Sequence, residues 1–225
     1  MPSKERPLSE AIRERRATPS FDSTPIPDDD LRQIIQAGLE APSGYNLQPW
    51  RFVVVRDPEQ RKRLQAAAMG QPKVAEASAV IVACGDPQGW SENFDEIFEE
   101  GNRRGISTKQ GNAQVKQQLQ GFLGGTPGDA AGLAPDYAVW VNRHTMIAFT
   151  TMMWMAECLG YDTAPMEGFL ESQVRQTLGI PERVRVVALL GIGHRKGADK
   201  PYAGRLPAHT TAFIDKWDNR MAAVI

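Results

Sequence analysis

Residues 136–159 read as one long helix that is apolar nearly all the way round, with Trp140, Val141, Phe149, Met152 and Trp154 spread over different faces. A surface helix keeps a polar face for water, and this one keeps almost none. It therefore has to be enclosed, by the core of the domain or by an interface. Asn142, Arg143, His144 and Glu157 interrupt it, and no uncharged apolar run of about 18 residues exists, so it does not read as a membrane span. Pro135 opens it, and Gly160 stands where a left-handed glycine commonly ends a helix.

The segments around it alternate. Residues 50–55 form a β-branched strand, 78–83 a second apolar strand closed by Gly85-Asp86-Pro87, 161–166 a short extended piece, and 184–191 another strand. Between them lie helical patterns. Residues 8–16 put Leu8 and Ile12 on one face, ahead of Pro19. A second helix, capped by Asp28, carries the stripe Leu31, Ile34, Ile35, Leu39 and stops at Pro42. Asp57-Pro58 opens a third, running to about Ala68, with proline at the first helical position. Further helices are expected near 170–178 and 211–221. Strands separated by more numerous helices indicate an α+β or α/β domain, a small sheet covered by helices.

Residues 86–135 fit neither pattern. They hold Trp90, Phe94 and Phe98, then charges, then a glycine-rich run at 121–128. Long irregular segments in compact domains are often lids or binding loops, and a plain surface excursion is the competing reading.

The chain has 225 residues, enough for one large domain with its own core. A formal net charge of -1 gives no global electrostatic case for nucleic acid or an anionic membrane. Cys84 and Cys158, each in an apolar run, exclude a disulfide framework and supply no zinc spacing. The first residues contain no apolar signal region, so a cytoplasmic protein is expected.

No G-x-S-x-G elbow, no phosphate loop ending in Gly-Lys-Ser/Thr and no G-x-G-x-x-G after a strand is present. The histidines, His144, His194 and His209, are not paired at metal-ligand spacing. A catalyst without an evident nucleophile, base or metal has to borrow its chemistry from a cofactor. Ala41-Pro42-Ser43-Gly44-Tyr45-Asn46-Leu47-Gln48-Pro49-Trp50 offers a hydroxyl and two carboxamides between stiffening prolines. Carboxamides donate and accept at once, which suits a heteroaromatic ring, although the same residues are ordinary in turns. Arg15-Arg16-Ala17-Thr18-Pro19 closes a helix with two guanidiniums, a bidentate match for phosphate or simply a complement to the helix dipole. Pro165-Met166-Glu167-Gly168 ends an extended piece in glycine, letting backbone approach a flat ligand. Arg205, in Gly204-Arg205-Leu206-Pro207, is a second phosphate reader or a solvated surface side chain.

Taken in order, Arg-Arg-Ala-Thr-Pro-Ser-Phe-Asp, Pro-Ser-Gly-Tyr-Asn-Leu-Gln-Pro-Trp, Pro-Met-Glu-Gly-Phe and a late Arg-Leu-Pro resemble the FMN-dependent nitroreductase family over about residues 8–207. The resemblance implies an α+β fold with a small, mostly antiparallel sheet. The long helix would lie at a homodimer interface, and residues 1–225 would form a single FMN-binding domain. It implies that Arg15, Arg16, the Ala17 backbone and Arg205 hold the FMN phosphate. Pro42, Ser43, Gly44 and Asn46 would reach the flavin from the partner chain. Gln71 would meet the pyrimidine edge, and Pro165, Met166, Glu167 and Gly168 would run along the ring. The backbone N–H groups of Glu167 and Gly168 would then favour negative charge on it.

NADPH or NADH would be the donor, and a nitroaromatic, quinone or activated alkene the acceptor, in ping-pong turnover. The family often has serine at the position of Ala17, a cation at Pro19 and lysine at Ala203, and Lys73 is the candidate replacement cation. Residues 86–135 are the variable region that shapes the substrate pocket. A specialised relative (reductive dehalogenase or flavin-modifying enzyme) and a non-catalytic flavin binder are the alternatives.

Overall fold

The computed structural model describes residues 5–22, 24–123 and 137–221. Its centre is a sheet of β1 (Trp50–Val55), β2 (Ala79–Gly85), β3 (Asp162–Met166) and β4 (Arg185–Gly193), in the spatial order β1-β2-β4-β3. Every pairing is antiparallel, and β2 against β4 shifts register between Ala83 and Cys84. β2 is buried along its whole length. Its Ala79, Ile81 and Ala83 pack with Ile34, Phe149 and Met152, while Val80, Val82 and Cys84 pack with Leu64, Val74 and Val174. A strand covered on both faces needs no polar alternation, which is why it reads as an unbroken apolar run.

Three layers follow. On one face lie α2 (Asp28–Leu39) and α7 (Tyr137–Cys158); on the other lie α3 (Pro58–Ala67), α4 (Pro72–Glu76) and α8 (Glu171–Leu178). The α2–α7 crossing is close: a Cβ on Gly38 would stand 2.6 Å from Met152 Cγ. The end of β2 is closer still, with a Cβ on Gly85 falling 2.2 Å from Val141 Cγ1. α7 buries Ala148, Phe149, Met152 and Ala156 against the sheet, yet Val139 and Ile147 on its outer side remain about 40% exposed. The fully covered helix expected from sequence is thus only half covered in a single chain.

Asp57 caps α3 as expected, accepting from Gln60 N at 2.7 Å with Pro58 in the first turn. Other expectations need correction. α1 (Leu8–Glu14) buries Ala11, while Leu8 and Ile12 are each about half exposed. Asp28 sits inside α2 and Pro27 takes the cap, so Asp28, Asp29 and Asp30 act through the helix dipole. α4 was not foreseen. Residues 89–123 are not irregular: they form α5 (Gly89–Arg103) and α6 (Lys109–Leu123). Phe94 and Phe98 stand one turn apart on α5, with rings stacked at 4.1 Å. The late helix expected at 211–221 is only α9 (Ala208–Thr211). Beyond it Asp215 turns with φ 62 and Phe213 pairs back to Arg220. Residues 124–136, including most of the glycine-rich run and Pro135, lie outside the described residues. Cys84 is buried and its thiol is pushed up to about 12 by burial; Cys158 is half-buried and also raised.

Candidate active site

Residues 15–22 are stitched across the ends of β3 and β4. Ala17 bridges Thr163, Thr18 N donates to Thr163 O at 3.0 Å, and Asp22 N donates to His194 O at 2.8 Å. This places Arg15 against the last turn of α7. Its Nε and Nη1 are buried and have no hydrogen-bond partner among the described residues. Burial lowers its pKa, Glu157 opposes that, and Arg205 and Arg16 lower it further. A buried, charged donor without an acceptor is costly, and a phosphate would satisfy both nitrogens.

Arg16 Nη1 donates to the carbonyls of Arg13 and Arg15 at 2.8 and 2.9 Å. Its guanidinium lies 4.4 Å from the Tyr202 ring centre, with that of Arg205 at 5.6 Å from the same ring. Ile12, Arg13, Arg16, Tyr202 and Arg205 line a cleft of about 480 Å³ that contains no acidic side chain. Arg13 and Tyr202 carry no ligand role in the sequence reading, although each stands in the same basic stretch as Arg16 or Arg205.

Behind Arg15, Glu157 is 2% exposed. Thr163 Oγ1 donates to it at 2.6 Å and Arg6 Nη2 lies 3.4 Å away. Burial, more than any neighbour, raises its carboxyl to about 7. Sequence reasoning treated this residue only as an interruption of the helix.

Further along β3 comes a second cluster. Pro165 and Met166 lie on this edge strand, which tolerates proline because one side of it lacks a ladder partner. Gln71, at the cap of α4, donates from Nε2 to Gly168 O at 2.7 Å. A Cβ on Gly168 would sit 3.5 Å from that nitrogen, an ordinary van der Waals contact, so the chain itself leaves room there. Glu167 lies between Met166 and Gly168 on the same ledge. From Thr163 to Gly168 the chain can extend about 17 Å, so β3 forms a rail joining the cationic cluster to the Gln71 ledge. Lys73 is half-buried nearby on α4, its pKa lowered by burial and by Lys200.

Pro42, Ser43, Gly44 and Asn46 lie elsewhere. Their loop leads into β1, the opposite edge of the sheet from β3 and about 14 Å across it at ordinary strand spacing. Gly44 packs beside His144 on α7, whereas Arg15 neighbours Glu157, thirteen residues and about 20 Å along that helix. Ser43 Oγ accepts from Gln48 N at 3.0 Å. Tyr45, Asn46 and Gln48 all have positive φ, at 53, 57 and 47. Leu47, between them, is fully buried in a small core with Phe94, Leu119 and Trp140. Strain on this scale persists only where surrounding packing imposes it, and it concentrates at functional sites.

Among the described residues no group of three or more metal-binding side chains occurs, and no helix is long and apolar enough to cross a membrane.

The family model described as "Nitroreductase family" matches residues 12–194. An "NADH dehydrogenase" of Thermus thermophilus is 33% identical over 197 residues, covering 88% of this chain and 90% of that protein. A Bacillus subtilis protein provisionally named an NAD(P)H nitroreductase is 32% identical, covering 82% of this chain and 87% of its own length. Among solved structures, a provisionally named nitroreductase from Exiguobacterium sibiricum, crystallised with FMN, superposes with a TM-score of 0.83 at 26% identity, covering 96% and 100% of the two chains. With the family model spanning most of its length and relatives covered nearly end to end, the chain belongs to the nitroreductase family.

Proposed function

We propose that the protein is an FMN-dependent NAD(P)H oxidoreductase, acting as a homodimer on nitroaromatic, quinone or activated-alkene acceptors by alternating donor and acceptor. The observation that carries this reading is Arg15 among Arg16 and Arg205: its Nε and Nη1 are buried and, among the described residues, without an acceptor, which a phosphate would supply. FMN, when bound, would supply the two-electron hydride chemistry. The chain's own part is to hold and orient. Arg15, Arg16 and Arg205, with the Ala17 backbone, neutralise the phosphate. The ledge of Pro165, Met166, Glu167 and Gly168, braced by Gln71, would support the ring. Lys73 brings positive charge towards that end and so favours the reduced state of a ring bound there.

Distance supports the dimer. Pro42, Ser43, Gly44 and Asn46 lie on the edge of the sheet opposite the Arg15 cluster, which fits a role at the flavin site of a second copy. The outer face of α7, where exposed Val139 and Ile147 flank the exposed Arg143, supplies a surface for that contact. An anaerobic titration of the FMN-loaded protein with NADPH and then NADH tests the reading. Bleaching of the flavin absorbance by either donor is expected; a flavin that stays oxidised with both would leave a binding protein without turnover.

A further inference from the structure

Arg6 and Arg15 flank α1, and the helix thereby delivers two guanidiniums to one carboxyl, that of Glu157 in the last turn of α7. Arg6 Nη2 lies 3.4 Å from Glu157 Oε2, while its Nε donates to the Glu157 carbonyl at 3.2 Å. Arg6 is shared, because its Nη1 stands 3.7 Å from Glu14. Thr163, on β3, donates to the other carboxyl oxygen, Oε1, at 2.6 Å. Arg15 stands over the same end of α7, its guanidinium 5.9 Å from the ring centre of Trp154, one turn before Glu157. Glu157 acts on Arg15 by charge, and Arg15 Nε and Nη1 have no hydrogen-bond partner among the described residues.

Other charges complete the surroundings. Asp162, next to Thr163 on β3, accepts from the backbone N–H of Arg195 at 2.8 Å and lies 4.0 Å from its guanidinium. Asp199 pairs with that same guanidinium at 2.6 Å. Arg16 and Arg205 face Arg15 from the cleft side. Cys158, beside Glu157 on α7 and facing Glu5, has its thiol raised by burial and keeps its proton. Burial holds the Glu157 carboxyl at about 7, so it changes charge near neutral pH while the arginines around it stay charged throughout.

We propose that Glu157 is a proton-carrying positioning residue: neutral, it leaves Arg15 to the flavin phosphate, and ionised, it competes with the phosphate for the same cations, so that binding of the cofactor's phosphate draws a proton into the protein. This rests on the reading of Arg15 as a holder of the FMN phosphate. A phosphate dianion on Arg15 places a like charge near the Glu157 carboxylate, and a like charge favours the neutral acid. The expected pH dependence has the opposite sign to the ligand's own. A phosphate monoester completes its second ionisation at about pH 6, which strengthens its hold on cations as pH rises. Glu157 weakens that hold as pH rises further, and cofactor retention is greatest on the acid side of neutrality.

The test measures dissociation constants of the full-length chain for FMN and riboflavin from pH 6 to pH 9 by flavin fluorescence. The riboflavin-to-FMN ratio isolates the phosphate, since both ligands carry the same ring. In the wild type this ratio should fall by about tenfold above pH 7, because a tenfold gain in proton affinity on binding is a tenfold loss of ligand affinity once that proton is gone. Glu157→Gln should abolish the fall. Thr163→Val, which removes a donor that favours the ionised carboxyl, should move the fall to higher pH. Calorimetry of the wild type at pH 7.5, in two buffers of different ionisation enthalpy, needs no variant: it should register proton uptake with FMN and none with riboflavin. A ratio well above one that does not fall, a fall that survives Glu157→Gln, or FMN binding without proton uptake overturns the proposal. A ratio lowered equally at every pH in Glu157→Gln also overturns it, and leaves Glu157 a prop for Arg15. FMN and riboflavin bound alike by the wild type at every pH sinks the phosphate assignment of Arg15 instead.

Discussion

Arg15 shows how a single side chain can declare a ligand. Its guanidinium is half-buried between two other cations, and what it lacks is an acceptor. Arg15→Ala should weaken FMN binding by about 1.5–3 kcal/mol, the worth of a charge-assisted hydrogen bond. Riboflavin, which has no phosphate, should bind the two proteins alike; equal losses for both ligands would move the phosphate elsewhere. Glu157 behind it leads to a pH prediction. Its carboxyl titrates near 7 when folded and near its ordinary 4.5 when unfolded, so the folded state holds the proton more tightly. Stability from this group is complete below the unfolded value and is lost as pH rises through about 7. The loss is on the order of 3 kcal/mol at most, since each tenfold gain in proton affinity is worth about 1.36 kcal/mol. Urea unfolding at pH 5 and pH 8 should show a shallower decline in Glu157→Gln than in the wild type; identical slopes would contradict the assignment. The arginines were legible in the sequence because adjacent guanidiniums after a helix announce themselves. Glu157 was not, since its burial arises from α1 and β3 meeting the end of α7, contacts far apart in the chain.

Secondary-structure elements were legible to the degree that their signals were local. The Asp57-Pro58 start of α3 is a local device, and Asp57→Ala should cost about 1 kcal/mol of stability in thermal or chemical unfolding. The fully apolar run of β2 is likewise local. α5 and α6 were missed although Phe94 and Phe98 stand one turn apart, because their surroundings are charged or glutamine-rich and the aromatics looked isolated. The reverse error occurred at the C-terminus. Phe213 and Trp217 also stand four apart, but they stack at 4.8 Å across a turn rather than along a helix. Close packing between elements is not readable from either partner alone. Gly85 needs to be glycine because of Val141, on a helix that begins some fifty residues later. Gly85→Ala should destabilise by about 1–3 kcal/mol through overpacking, measured as a lowered denaturation midpoint. A neutral result would mean that α7 slides easily at its first turns.

At the scale of the molecule, the strand order β1-β2-β4-β3 decides the biology, and nothing in the sequence states it. It separates the Pro42 to Asn46 loop from the Arg15 cradle by the width of the sheet. If that loop serves a flavin site as proposed, the site takes residues from two chains, and sedimentation should find a particle near twice 24.8 kDa. A monomer that binds FMN as tightly as the assembled protein would end that account. The thiols bear on what such a machine can survive. Quinones, among the acceptors proposed above, are electrophiles that alkylate thiolates, and a catalyst turning them over would risk inactivating itself. With Cys84 inside the sheet and its proton retained to about 12, the core of this enzyme offers such reagents no nucleophile at neutral pH. Any loss of activity to such a reagent would have to begin elsewhere than at that thiol.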